Sequence, residues 1–344
     1  MLSSCSQTHR IPVSQEFRES GNQVNFYTAV PQKNIGFKKS ESNLALQMAV
    51  VVAGAAAGFI VIPIITAYDE KLLKPIQQAV DGEKYKKLIH QTFVKNVQTL
   101  NWINFSDHTL VTIENQHLTK VGSYKNKNLK GEKFSLIINS SYNLSRDYNK
   151  LEFNAHVTLN KINYRPNKTN LNHILYQNSY RYISQPKQLI PRTQKENEDA
   201  AKAIEDWYQL EYSKLGTQMT SKRKEKLASL NKLKNHRLKS EVGELNDKAK
   251  RIEYVDFWAN NNAIEVEDFI IQASDEISRM ILLDIQDSRT FEQLKADPLL
   301  ISLTGGAKLI SSDKQRILVR TFGIGTEGRL CSLPKSIKLK NCLG

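Results

Sequence analysis

The chain is poor in the residues that build compact catalytic or metal centres. Its seven histidines stand apart with no His-x-x-x-His pair, its three cysteines form no Cys-x-x-Cys, and neither a Gly-x-Ser-x-Gly elbow nor a phosphate loop occurs. Each of these local motifs works because its spacing brings the reacting groups together from one helical turn or one loop. The sequence therefore offers no catalytic residue, no metal-ligand set and no cofactor site. An enzyme built from distant residues on a sheet is the alternative, with Asp107, His108 and His117 the grouping to watch. Three cysteines in 344 residues also exclude a disulfide-built scaffold.

Long apolar runs are scarce as well, with one exception. Residues 44–67, LALQMAVVVAGAAAGFIVIPIITA, lie between Glu41 and Asp69 without a charged side chain. About 20 apolar residues suffice to cross the hydrocarbon core as a helix, so this run is expected to be a membrane helix. Gly54 and Gly58 spell Gly-x-x-x-Gly inside it, a spacing that lets two helices approach closely and so predicts self-association. Lysines flank the run on both sides and leave its orientation open.

Acid is scarce in one further place. Residues 222–239 carry Lys222, Arg223, Lys224, Lys226, Lys232, Lys234, Arg237 and Lys239 against Glu225 alone, a large share of the chain's net charge of +14. Such a basic patch suits anionic lipid or an acidic protein partner. Nucleic acid is disfavoured, because no aromatic side chain is interleaved to stack on bases.

The remaining pattern is α+β. Residues 109–184 have a period of two, broken by Asn126-Lys127-Asn128, Ser145-Arg146-Asp147 and Arg165-Pro166-Asn167, which predicts four antiparallel strands in a meander. Helical spacing precedes it at 69–79 and 83–100 and follows it at 196–215 and from 220 towards 252, the latter two as a helical hairpin weakened by Gly243. The strongest helix runs over 263–287, with Val266, Phe269, Ile270, Ala273, Ile277, Met280, Ile281 and Ile285 on one face and a start at Asn262. The organisation expected is a polar linker over 1–43 with a short strand near Val24 to Val30, the membrane helix over 44–67, helices and sheet over 68–190, the hairpin and core helix over 191–290, and a β-hairpin over 291–344.

Gly323, Gly325 and Gly328 spell Gly-x-Gly-x-x-Gly, but no helix pattern opens after them and no acid follows at the distance a dinucleotide site requires. They read as the turn of the terminal hairpin. Cys331 and Cys342 either close a small loop as a disulfide, which needs an oxidising compartment, or stand as two thiols.

The first five residues end in Leu2-Ser3-Ser4-Cys5, which resembles the bacterial lipobox, the sorting motif of lipoproteins. The resemblance covers four residues. It implies that Cys5 carries an acyl anchor and that an apolar signal segment is encoded upstream of Met1. The expectation is thus a membrane-anchored protein of the bacterial cell envelope with a periplasmic body. It would bind or scaffold, with membrane lipid, an acidic protein or a second copy as partner.

Overall fold

The computed structural model describes residues 10–32, 34–37, 67–111, 133–162, 172–215, 221–243, 245, 247–323 and 326–343. They fall into two compact units, Met1–Pro186 with Trp258–Gly344, and Lys187–Phe257.

The first unit holds ten strands: β1 (Gln23–Ala29), β2 (Gly36–Phe37), β3 (Asn104–Val111), β4 (Lys133–Leu144), β5 (Leu151–Ile162), β6 (Asn172–Ile183), β7 (Ile301–Leu303), β8 (Ala307–Ser312), β9 (Arg316–Thr321) and β10 (Leu330–Pro334). They form one mixed sheet in the order β3-β1-β4-β5-β6-β10-β9-β8-β7, with β2 beside β4. The four-stranded antiparallel meander expected from the sequence is therefore incorrect. Of the strands expected over 109–184, only β4, β5 and β6 are consecutive antiparallel neighbours. β1 separates β3 from β4 and runs parallel to both.

The short strand expected near Val24 to Val30 is present as β1. Its place inside the sheet was not legible, because parallel partners leave no hairpin turn to find in sequence. Yet Phe26, Tyr27, Thr28 and Ala29 are all buried, as expected of a strand covered on both faces. The C-terminal strands likewise do not stand alone, since β10 adds in parallel to β6 and carries β9, β8 and β7 with it.

Two long helices cover one face of the sheet. The helix α1 (Gln15–Glu19) is short, and α2 (Ala67–Ala79) leads into α3 (Gly82–Val97), whose first turn is capped by the Asp81 carboxylate at 3.0 Å from Lys84 N. From α3, Phe93 meets Phe153 and Tyr85 meets Tyr142, both edge-on. The helix α6 (Asp247–Ile285) is continuous except at Asn260–Ala263, where Asn261, Asn262 and Ala263 take positive φ of 49, 56 and 58°. Beyond that break its apolar stripe, from Val266 to Ile285, is buried and Phe269 packs on Tyr182. The short α7 (Phe291–Ala296) follows.

The opposite sheet face is apolar at its two ends and polar between them. Tyr27, Ala29, Val111 and Ile137 form one apolar cluster, and Ile183, Val319, Cys331, Leu333, Ile337 and Cys342 another. Asn139, Glu152, Asn154, His156, Thr158, Asn160, Ser179 and Arg181 fill the alternate positions of β4, β5 and β6 between them.

Residues 44–66, with Gly54 and Gly58, lie outside the described residues, and Ala67 opens α2. The chain before and after that run belongs to the same unit. Thr28 Oγ1 lies 2.6 Å from His90 Nδ1, Gln77 donates to the Ile35 carbonyl at 3.5 Å, and β1 pairs with β4 along six residues from Val24 to Ala29. A single crossing would place β1 and β4 on opposite sides of a bilayer, so the expected membrane-spanning helix is withdrawn. Among the described residues no helix is long and apolar enough to cross a membrane.

The second unit contains α4 (Gln194–Ser213), α5 (Ser221–Glu241) and the first turns of α6. A capping box of Thr193 and Glu196 starts α4. Gly243, with φ of 80°, ends the helical path after α5 and donates to Asn197 Oδ1 at 2.9 Å.

Candidate functional site

The most densely bonded polar group in the first unit surrounds Asp284, which sits on the apolar stripe of α6 and is 0 % exposed. Its Oδ1 takes Arg10 Nε at 2.8 Å and Arg320 Nη1 at 2.6 Å. Its Oδ2 takes Tyr176 OH at 2.7 Å, Asn178 Nδ2 at 2.7 Å and Tyr180 OH at 3.2 Å. The three β6 side chains alternate along one strand and so share the face on which α6 lies.

Backbone geometry places the two arginines. Arg10 is held by Arg10 N donating to the Glu327 carbonyl at 3.2 Å and by the Ile11 bridge to Gln177 on β6. Its guanidinium also donates to the carbonyl of Asp284 in the last turn of α6 and to those of Asp287 and Arg289 just beyond it. Arg18 caps the Ile285 and Gln286 carbonyls in the same way. Arg320 reaches the node from β9, and Gly328 supplies its carbonyl to both Arg320 and Asn178 at 3.0 Å.

Burial disfavours the ionised Asp284, but Arg320 and Arg10 together with the Tyr176 and Asn178 hydrogen bonds outweigh it and hold the carboxyl below its ordinary range. Burial beside that carboxylate pushes the Tyr176 and Tyr180 phenols far up, so both remain donors. A carboxylate saturated by two cations and three hydrogen bonds has no lone pair left for a proton or a substrate. The node is a fastening of β6, β9, the 328 turn and the N-terminal segment to the end of α6.

The polar band on the opposite face holds a second pair. His156 Nδ1 lies 3.0 Å from Ser179 Oγ, a separation suited to a base and a nucleophile. Burial first, then Arg329, lowers the imidazole to about 4, which weakens it as a base near neutral pH. Glu152 and Arg181 pair close by at 2.6 Å, both buried. No carboxylate among the described contacts orients His156, so the pair does not complete a hydrolytic triad.

The expected Asp107 and His108 grouping does not converge. Asp107 accepts from His108 N and from Thr109, while the His108 ring turns to Gln98 at 3.0 Å and packs on Phe26 and Phe105. His117 and Cys5 lie outside the described residues. Among the described residues no group of three or more His, Cys, Asp or Glu side chains could hold a metal ion. Cys331 and Cys342 are bonded to each other, and their loop ends in α8 (Lys340–Leu343).

The basic patch divides into two sets on α5. Arg223, Lys234 and Arg237 face α4, where they lie over Tyr212 at 5.8 Å, Tyr208 at 4.3 Å and Trp207 at 4.8 Å. Lys234 also pairs with Glu205 at 2.5 Å, and Arg237 with Glu241 at 2.8 Å. Falling residue numbers on α5 meet rising ones on α4, so the two helices are antiparallel and cation–π contacts form the rungs. Lys222, Lys224, Lys226, Lys232 and Lys239 are exposed.

No family model matches the chain, and no curated protein or solved structure matches it either.

Proposed function

We propose that the protein is a non-enzymatic binding or scaffolding protein of the bacterial envelope, attached to the membrane from one side by residues 44–67. The observation that carries the reading is that this uncharged run leaves one compact unit and returns to it. The run carries no charged side chain, and the chain on either side of it belongs to one unit, so it offers apolar surface to the membrane from one side. The body then lies wholly on that side. The Cys331–Cys342 bond supports an oxidising compartment and so the extracytoplasmic side. A buried, saturated Asp284 and an unoriented His156 support binding over catalysis.

The test is extraction and sidedness. The full chain should resist high salt and alkaline carbonate. Cysteines introduced by Lys39→Cys and Asp69→Cys should both react with a membrane-impermeant maleimide from the same side of sealed vesicles. Release of the wild-type chain by salt, or labelling of the two positions from opposite sides, overturns the reading.

A further inference from the structure

We infer that the outer face of α5 is a docking surface for an anionic bilayer; this rests on the membrane reading above and names the lipid class. The helix sorts its cations by face. At 100° per residue, Arg223, Lys234 and Arg237 fall within about 60° of one another, and Lys224, Lys232 and Lys239 within about 80° on the other side. The inner set is engaged with Trp207, Tyr208, Tyr212, Glu205 and Glu241. The outer set, Lys224, Lys232 and Lys239, is exposed and has no ion-pair partner among the described residues.

Residue type follows the same division. Two of the three inner cations are arginines, whose planar guanidinium stacks on rings. All three outer cations are lysines, strongly hydrated point charges on flexible stems. Lysine suits a diffuse field of phosphates better than a partner with fixed carboxylates, which would favour bidentate arginine. The outer face carries no aromatic side chain for a nucleic-acid base. From Lys224 to Lys239 the helix rises about 22 Å, so the three outer charges are spread along one side of it.

The experiment is flotation of the full chain with vesicles of phosphatidylcholine alone and of phosphatidylcholine with phosphatidylglycerol. The anionic vesicles should bind more protein, and the gain should vanish in high salt because exposed charges are screened within about 10 Å at 0.1 M. K224E/K232E/K239E should reduce the gain on the order of a hundredfold, each lost lysine acting near the surface. Folding of the variant is checked by its circular dichroism and Tm. An equal gain for the folded variant and the wild type overturns the inference. So does a chain that ignores phosphatidylglycerol while binding soluble polyglutamate, which would make the partner an acidic protein. Binding to phosphatidylcholine alone reports residues 44–67, so its loss with the anionic gain intact overturns the one-sided attachment and leaves this inference standing.

Discussion

Thr28 and His90 share a contact of 2.6 Å although 62 residues separate them in sequence. Between them lies the whole uncharged run, so the hydrogen bond ties the strand before it, β1, to the helix after it, α3. His90 accepts this role at the expense of its charge. Burial first, then His108, lowers its pKa, which keeps the ring neutral against the Thr28 hydroxyl.

Asp284→Asn should be among the most damaging single changes. It leaves Arg10 and Arg320, 3 % and 2 % exposed, without their shared counter-charge. Breaking a buried pair from one side costs about 3–5 kcal/mol. Urea unfolding should register a loss of that size, and adding Arg10→Met and Arg320→Met to it should cost less than the three single losses summed. The carboxyl is held below its free value of 3.8, so its contribution is complete above that pH and disappears as pH falls through the lower folded value.

Gly328→Ala tests the same node through the backbone. Gly328 has φ of +84°, and an added Cβ would lie 2.5 Å from Arg10 Cβ. A non-glycine residue there pays for the left-handed backbone and displaces Arg10 from Asp284. The expected loss is about 2–4 kcal/mol, read as a fall in Tm. Gly21→Ala, also at positive φ but with nothing within 4 Å, should cost only the backbone share, about 1 kcal/mol.

What the sequence disclosed was what neighbours in sequence build. The stripe from Val266 to Ile285 packs as its spacing indicates, and Ser145-Arg146-Asp147 turns β4 into β5, with Ser145 donating to Asp147 at 2.6 Å. The glycines at 323 and 328 flank the connection from β9 to β10. What stayed hidden was built from distance: β1 between two parallel partners, and Arg10 bonded to Asp284 across 274 residues. One signal was present. Asp284 stands four residues after Met280 on an apolar stripe, and an acid in that position must find a buried cation. The sequence cannot say which cation, because loop closure leaves no local pattern.

Ala263→Gly should stabilise the protein. Ala263 is fully buried at φ of 58°, and its carbonyl accepts Tyr85 OH at 3.3 Å. Asparagine tolerates the left-handed region that Asn261 and Asn262 occupy, whereas alanine carries a steric cost of about 1–2 kcal/mol. Glycine removes that cost but adds freedom to the unfolded chain. A net gain of about 0.5–1 kcal/mol is expected in denaturant unfolding, and a loss would mean that the Ala263 methyl contributes more by packing than its backbone costs.

Acid sensitivity should map to His156 before any carboxylate titrates. Its folded value of about 4 lies below the free value of 6.5, so the unfolded chain binds the proton more readily. Stability is therefore complete above pH 6.5 and falls as pH drops towards 4, by on the order of 2–3 kcal/mol if the ring stays buried. His156→Gln keeps a hydrogen-bonding partner for Ser179 without a titrating ring. Between pH 7 and pH 4.5 the wild-type Tm should decline more steeply than that of His156→Gln, with His90 supplying a smaller slope common to both. Parallel curves would mean that the polar band admits enough water to solvate the imidazolium, and that its burial is not what keeps the ring neutral.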